Sequence, residues 1–356
     1  MLNPSRVPVA RLTFRSLTRR ALPAVLAGAC ALVPSAASAC ASCGCTLSSD
    51  AAFGYSSTAG WRLSVQYDYL NQDTLRSGTH TASVADVVNA PSNPALGGGE
   101  IEHGTLNRYL TLGLTYSPNA NWHFDLRLPY IDRDHSTYGQ QQSPYVPADT
   151  APDQLSVAHV AGLGDIKLLA SYQGFLPTHN LGVQLGLKLP TGAYGSANLF
   201  RSGPGAGTPL DNSLQAGTGS TDLVLGGYYH RAISQDFDAF VNGQFQSAIS
   251  HAPNTPGSDF RPGNSLTASV GLRYANHPGL SPSLQVNLLR RLADTGALAD
   301  TTNTAGTIVY VSPGLTARLA PRLSAYAFFQ VPLYSNLSGY QLFPRWTGSL
   351  GLSYGW

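Results

Sequence analysis

The sequence is poor in charged residues, which make up 11% of its 356 positions. Soluble globular domains carry about 25%, so this composition argues against an ordinary water-soluble domain. Long apolar runs are also missing. The main one, residues 21–33, is shorter than the roughly 20 residues that a membrane-spanning helix needs. This second absence excludes a bundle of membrane helices.

Glycine and aromatic residues, by contrast, are abundant, with 37 Gly, 18 Tyr and 10% aromatic residues overall. So many aromatic side chains must be buried somewhere, which argues against a disordered chain. The formal net charge of +2 offers no strongly basic surface, so we expect no nucleic-acid partner. Two classes remain: a secreted β-protein and a β-barrel that spans a membrane.

The first 39 residues have the composition of a secretory signal peptide. Residues 1–20 contain five arginines and no acidic residue, the apolar run 21–33 follows, and Ala37-Ser38-Ala39 provides a small-residue cleavage site. Five of the 21 basic residues and none of the 19 acidic residues lie in residues 1–39. The predicted mature chain, with 16 basic and 19 acidic residues, therefore has a net charge of −3 and leaves the cytoplasm.

From Gly60 onward, apolar residues repeatedly alternate with small or polar residues at a period of two. This pattern is expected for strands whose two faces meet different surroundings, and Trp61–Tyr69 is a clear example. It predicts twelve strands of roughly 10–15 residues, a length suited to crossing a bilayer at a tilt. The predicted strands are 60–70, 105–117, 121–131, 162–176, 180–191, 218–230, 236–250, 263–275, 280–292, 305–319, 322–333 and 345–356.

The predicted connections alternate strictly between long and short. The even-numbered connections, such as Pro118-Asn119-Ala120, are short. The odd-numbered connections are long: 71–104, 132–161, 192–217, 251–262, 293–304 and 334–344. Long loops outside the cell and short periplasmic turns are typical of bacterial outer-membrane barrels. The sequence therefore predicts an all-β fold: over residues 60–356, a twelve-stranded antiparallel transmembrane β-barrel in the outer membrane, with long extracellular loops and short periplasmic turns. Its expected partners are outer-membrane lipid, the barrel-assembly machinery and a small-molecule solute.

If the apolar rows face lipid, the charged residues of the predicted strands face the lumen. Unpaired buried charges are costly, so a lumen that only packs shut would contain few ions. Charges of both signs indicate either a water-filled lumen that conducts or binds a ligand, or ion pairs that hold a narrow barrel rigid. The candidate lumen and channel-mouth residues are Asp68, Asp125, Arg127, Asp165, Lys167, Lys188, Asp222 and Arg273.

Two of these residues, Asp165 and Asp222, recur in similar surroundings. Each follows a Gly-rich stretch near the predicted extracellular mouth. They either form an acidic ring that favours cations or polar donors, or cap backbone groups where a loop folds inward. The sequence leaves both alternatives open.

Three motifs in this region carry a resemblance to a known family. They are Gly164-Asp165-Ile166, Leu187-Lys188-Leu189-Pro190-Thr191-Gly192 and Leu214-Gln215-Ala216-Gly217-Thr218-Gly219-Ser220-Thr221-Asp222. The chain resembles the outer-membrane family labelled "putative MetA-pathway of phenol degradation" over roughly residues 160–356, and departs from it at Ala216 and Thr221, where Pro and Trp are expected. The resemblance implies a transporter-like barrel for the uptake of aromatic compounds.

The predicted mature chain keeps three cysteines, Cys40, Cys43 and Cys45, near its N-terminus. In an oxidising compartment, three thiols cannot all pair with one another. Three interpretations stay open: a soft-metal site for Cu(I) or Zn(II), which thiolates favour; a Cys40–Cys43 disulfide that leaves Cys45 spare; or lipidation of Cys40. Residues 40–59 would form a periplasmic segment that carries this cluster.

The sequence offers no convincing arrangement of Ser, His and Asn residues and no H-E-x-x-H motif, and we expect no enzymatic activity. The expected function is an outer-membrane channel or transporter for small solutes, including aromatic or hydrophobic compounds. The alternative is a structural or metal-handling component, in which the barrel anchors the cysteine cluster near redox partners.

Overall fold

The computed structural model describes residues 58–90, 100–140, 152–251, 259–277 and 279–356, and their regular secondary structure is almost entirely β-strand. The predicted signal peptide and the three cysteines of the predicted mature N-terminus lie outside the described residues. The strands are β1 (Gly60–Gly78), β2 (His80–Thr81), β3 (Glu100–Ser117), β4 (Trp122–Gln140), β5 (Ser156–Leu163), β6 (Ile166–Tyr172), β7 (Leu181–Leu189), β8 (Ser220–Ala232), β9 (Phe237–His251), β10 (Ser265–Tyr274), β11 (Leu280–Arg291), β12 (Gly306–Ala320) and β13 (Leu323–Gly355).

A short α-helix, α1 (Val84–Asn89), follows β2. Its N-cap residue is Ser83, whose side chain accepts a hydrogen bond from the Asp86 N–H while the Asp86 carboxylate accepts one from the Ser83 N–H. These two bonds satisfy backbone donors that the first turn of a helix leaves free. Among the described residues, no helix is long and apolar enough to cross a membrane.

The strands form one antiparallel sheet that closes on itself. Neighbours follow chain order from β1 through β3 and β4 onward to β13, and β13 then pairs with β1. At this seam Leu63 pairs with Tyr354, and Trp61 and Trp356 exchange two backbone hydrogen bonds of 2.9 Å. Closure pairs the backbone groups of the first and last strands, which would otherwise need water. The predicted all-β antiparallel barrel is therefore confirmed.

Hydrogen bonding divides the sheet into thirteen strands, where the sequence predicts twelve. The predicted strand 162–176 is interrupted at Gly164 and Asp165, so that β5 and β6 pair separately with β4. The predicted strands 322–333 and 345–356 are continuous as β13, and the predicted loop 334–344 is part of it. The first part of β13 pairs with β12 and the last part with β1. The two parts also lie together, since the Gly355 N–H donates to the Arg322 carbonyl at 3.0 Å.

The connections are short at one end of the barrel and long at the other. Of the described residues, 118–121, 173–180, 233–236, 275–277 and 321–322 lie at the short-turn end, and 152–155, 190–219, 259–264 and 292–305 lie at the long-loop end. β1 and β4 extend toward the long-loop end to Gly78 and Gln140, well past their predicted limits at 70 and 131. These extensions lack a regular apolar row, because neither of their faces has to contact lipid.

Side chains alternate between an apolar outer face and a polar interior. Along β1, Leu63, Val65 and Tyr67 are each 38% exposed, whereas Gln66 and Asp68 between and beside them are buried. An outward apolar row and an inward polar row are what a strand of a water-lined membrane barrel requires.

Aromatic side chains gather toward both limits of the apolar outer face. At the short-turn end, the rings of Trp61 and Trp356 stack with their centroids 6.5 Å apart. Toward the long-loop end, the Trp346 ring lies 5.3 Å from the rings of Tyr69 and of Phe329. Two such belts are typical of a barrel whose outer face meets the two interfaces of a bilayer.

Candidate functional site

The barrel interior is the candidate site, and Lys188 on β7 is the centre of a charge network within it. Its Nζ lies 3.0 Å from Asp165 Oδ2 and 3.1 Å from Asp222 Oδ2. It also donates to Ser220 Oγ at 3.0 Å and to Thr218 Oγ1. The three charged side chains are 3–6% exposed, so water and salt screen their interactions only weakly.

Asp165 ties both ends of the segment 190–219, here called the inward loop, to the barrel wall. Its Oδ1 accepts a hydrogen bond from the Gly192 N–H at 3.0 Å, and its Oδ2 accepts one from the Thr218 N–H at 3.0 Å. The two ends of the loop cross tightly, since a Cβ on Gly217 would lie 2.5 Å from the Gly192 carbonyl oxygen. Asp165 therefore caps backbone groups, as in the second of the two alternatives that the sequence leaves open.

The inward loop folds into the barrel and crosses its lumen. On one side it forms an apolar cluster with inward-facing residues of β5, and this cluster contains Ala158, Val160, Leu210, Leu214 and Ala216. On the other side, Asn212 Nδ2 donates to the carbonyl of Leu298, between β11 and β12, at 3.3 Å. Because β5 and β11 lie on opposite sides of the ring, the loop narrows the lumen at this level.

Arg133, which faces inward from β4, fixes the loop at this crossing. It is 3% exposed, and its Nη1 donates to the Leu214 carbonyl at 2.5 Å. Its Nε donates to Asn107 Oδ1 at 2.6 Å and its Nη2 to the Tyr109 hydroxyl at 3.0 Å. Arg133 is not among the residues predicted from the sequence, although the Asp132-Arg133-Asp134 run interrupts the apolar alternation of β4 and indicates a change of surroundings there.

Asp68 belongs to a second buried network, on β1 and the two parts of β13. Both of its carboxylate oxygens accept hydrogen bonds from Gln66 Nε2 at 2.9 Å, and Oδ1 also accepts one from Ser349 Oγ at 2.5 Å. The Tyr326 hydroxyl donates to Gln66 Oε1. These bonds join strands on both sides of the seam through polar side chains.

The remaining candidate lumen residues lie in smaller groups. Arg127 Nη2 lies 3.8 Å from Asp125 Oδ2, and Arg273 Nη2 lies 2.7 Å from Asp238 Oδ2. Lys167 Nζ donates to Gln246 Oε1 at 3.0 Å. The structure thus brings Asp165, Lys188 and Asp222 together and distributes the other five around the wall.

One further charged group lies on the outer face, where sequence reasoning did not expect it. Arg108 Nη2 lies 2.9 Å from Asp132 Oδ1 and also contacts Asp134, whose Oδ1 is 2.8 Å from His159 Nδ1. These residues continue the outward rows of Leu110 on β3 and of Tyr130 on β4. They mark the level at which the outer face ceases to be apolar.

Comparisons with known proteins give a family and a fold. A family model described as "Putative MetA-pathway of phenol degradation" matches residues 105–338. The structure is similar to the "COG4313 outer membrane channel from Pseudomonas putida F1", with a TM-score of 0.59, 14% identity and coverage of 85% of this chain and 98% of that chain. Among curated proteins, none matches the chain.

Weaker similarities are to the NanC porin and to the CymD monoaromatic hydrocarbon channel. The NanC porin has a TM-score of 0.41 and 9% identity, with coverage of 82% of this chain and 98% of that chain. The CymD channel has a TM-score of 0.40 and 10% identity, with coverage of 84% of this chain and 89% of that chain. The predicted outer-membrane β-barrel is confirmed.

Proposed function

The chain belongs to the family described as "Putative MetA-pathway of phenol degradation", as its motifs predict, and on this premise we propose that it is an outer-membrane channel for small hydrophobic solutes, aromatic compounds among them. The observation that carries the proposal is the inward loop. A barrel that serves only as an anchor needs no loop fixed inside its lumen, whereas a channel uses such a constriction to select its solute. The likeness to an outer-membrane channel supports the same proposal.

The membrane topology is part of the proposal. When the two-residue β2 is left out, β5 and β6 are counted as one membrane span and the two parts of β13 as two, the strands make the twelve spans that the sequence predicts. The long-loop end faces outside and the short-turn end faces the periplasm, in the usual arrangement of such barrels. Outer-membrane lipid and the barrel-assembly machinery are then its partners.

The lining of the constriction supports an aromatic or hydrophobic solute. The inward loop contributes Leu210, Leu214 and Ala216, and the partly buried Phe200 and Ile131 pack against the same cluster. A small number of polar groups beside an apolar wall is typical of sites that orient a hydrophobic ligand. The family description names phenol degradation, which agrees with this class of solute.

The proposal is tested by measuring conductance in planar bilayers and solute uptake into liposomes that contain the purified full chain. Uptake of 4-hydroxybenzoate is compared with that of gluconate, because both are singly charged anions and only one is aromatic. We expect ion conductance and faster uptake of the aromatic acid. Absence of conductance would refute the channel, and equal uptake of the two acids would refute the preference for aromatic solutes.

The second candidate function rests on the cysteine spacing Cys40-x-x-Cys43-x-Cys45. Three thiolates favour a soft ion such as Cu(I), or Zn(II), and a barrel can hold them at the membrane. In this alternative the chain is a structural or metal-handling component. Metal recovery with the mature protein, described below, tests it independently of conductance.

A further inference from the structure

Two phenylalanine rings frame one stretch of the lumen wall, on the short-turn side of the inward loop. Phe240 on β9 pairs with Gly271 of β10, and Phe328 on β13 pairs with Gly314 of β12. Each ring lies over its cross-strand glycine, because a Cβ on Gly271 would be 2.5 Å from Phe240 Cζ and a Cβ on Gly314 would overlap the Phe328 ring. Since β11 lies between β10 and β12, it has an aromatic ring on either side.

Ser283 and Gln285 face inward from β11 between these two rings. Gln285 is the cross-strand partner of Gly271, and Ser283 is the cross-strand partner of Gly314. The stem of Gln285 lies beside the Phe240 ring, since the same Cβ on Gly271 would be 2.8 Å from Gln285 Cβ. These two polar residues and the two rings are here called the β11 site.

The polar atoms of the β11 site are buried without partners. Gln285 is 1% exposed, and neither its Nε2 nor its Oε1 has a hydrogen-bond partner among the described residues. The Oγ atom of Ser283 is buried in the same state. Buried polar groups that make no hydrogen bond lower the stability of a protein unless something binds them. The β11 site therefore points to a ligand.

Other amide side chains of the lumen wall find their partners within the protein. Gln184 on β7 donates to Ser171 Oγ at 3.2 Å and accepts from Gln244 Nε2 at 2.9 Å. Gln66 on β1 donates to both carboxylate oxygens of Asp68 at 2.9 Å. An amide with both of its polar atoms left over is thus a particular feature of the β11 site.

The amide restricts the chemistry of its ligand. Gln285 presents both a donor and an acceptor, so a matching group must accept and donate. A hydroxyl or a primary amide does both, a carboxylate only accepts, and a hydrocarbon does neither. Arg273, the cross-strand partner of Ser283, already pairs with Asp238 at 2.7 Å, so it offers a carboxylate no uncompensated positive charge.

We propose that the β11 site binds neutral aromatic compounds that carry a hydroxyl or a primary amide group, an inference that rests on the channel proposed above. The ring of the solute packs against Phe240 and Phe328, and its polar group bonds Gln285 and Ser283. Aromatic pairs gain stability beyond the area they bury. Water alone would satisfy the polar atoms of the site but would gain nothing from its rings. The site thus selects among the aromatic solutes that the channel admits.

The proposal is tested by fluorine NMR titration of the full chain in nanodiscs. The probes are 4-fluorobenzyl alcohol, 4-fluorotoluene and 4-fluorobenzoate, and empty nanodiscs give the partition of each probe into lipid. We expect saturable binding of the alcohol, and binding of the other two probes that is weaker by about tenfold or more. Absence of saturable binding of the alcohol, or equal binding of the alcohol and 4-fluorotoluene, would overturn the proposal.

Variants locate the site. Gln285→Leu keeps a similar volume but removes both amide atoms, so it should weaken binding of the alcohol about tenfold and leave 4-fluorotoluene unaffected. Equal weakening of both probes would show a merely structural role and refute the site. Ser283→Ala, a smaller change, should weaken the alcohol about threefold and serves if Gln285→Leu fails to fold. Gln184→Leu is the matched control, and a loss equal to that of Gln285→Leu would also refute the site.

Heat-modifiable migration on gels shows whether each variant folds. The titration measures binding and not conduction, so its failure is distinguishable from failure of the channel. A wild-type chain that conducts but does not bind the alcohol refutes the β11 site alone. A chain that binds the alcohol at this site but does not conduct supports the site and refutes the channel.

Discussion

Replacing Lys188 by methionine should strongly destabilise the barrel. The substitution keeps the length and apolar stem of the side chain but removes the ammonium group that Asp165 and Asp222 share at 3.0 Å and 3.1 Å. Two carboxylates, both almost fully buried, would then face each other without a counter-charge. Breaking a buried ion pair in this way costs about 3–5 kcal/mol, so we expect a loss of that size in the free energy of unfolding.

Lys167→Met is the matched control, because Lys167 is the cross-strand neighbour of Lys188 on β6. Lys167 is only partly buried, and it donates to the neutral Gln246 Oε1. Loss of a hydrogen bond from a charged donor costs about 1.5–3 kcal/mol, less than the loss expected for Lys188→Met. The same Lys→Met change at these two neighbouring positions therefore compares a buried, ion-paired lysine with a partly exposed one that bonds a neutral group.

The measurement is equilibrium unfolding in urea or guanidinium of the full chain in detergent or liposomes, followed by tryptophan fluorescence. A triple variant, Lys188→Met with Asp165→Asn and Asp222→Asn, should recover part of the loss, because no buried charge then lacks a partner. A loss for Lys188→Met no greater than that for Lys167→Met would refute the reasoning. The triple variant behaving worse than Lys188→Met alone would refute it as well.

Three further predictions follow from other parts of the chain. Gly217→Ala should destabilise the barrel by about 1–3 kcal/mol in the same unfolding assay, because its Cβ would meet backbone at 2.5 Å, whereas Gly227→Ala, where the nearest atom is at 3.5 Å, should be nearly neutral. Proteinase K added to whole cells should cut within residues 259–264, in a long loop, and cleavage within the short turn 233–236 in intact cells would overturn the orientation. Mature protein purified under reducing conditions should carry about one equivalent of a soft metal. The Cys40→Ser variant should bind this metal more weakly. A mass that shows a disulfide or an added lipid, with no metal recovered, would retire the metal site.

The strands could be predicted from the sequence where lipid touches them. In the half of the barrel near the short-turn end, one face meets hydrocarbon and the other meets the polar interior, so that Trp61–Tyr69 alternates at a period of two. Toward the long-loop end this constraint disappears, which is why the extensions of β1 and β4 were not predicted. For the same reason the sequence predicts a loop at residues 334–344, whereas the backbone there continues as part of β13.

The candidate site was predicted in its members but not in its arrangement. Asp165, Lys188 and Asp222 are each expected to face inward, yet their meeting depends on the register of β6, β7 and β8. No local pattern specifies that register. The inward loop was beyond sequence reasoning for a different reason: Leu210 and Leu214 read as ordinary loop residues, and only the tertiary structure provides the apolar wall of β5 that buries them.

The seam between β1 and β13 has a consequence for how the chain acquires its structure. The two strands that close the ring stand at opposite ends of the barrel sequence, and Leu63 pairs with Tyr354. Contacts so distant along the chain form slowly, because the chain loses the entropy of closing a long loop before these contacts stabilise it. Until the last hairpin is in place, the growing sheet has two unpaired edges that invite association with other chains. A chain truncated before β13 should therefore remain open and aggregate, and the C-terminal residues act as the closing step of assembly.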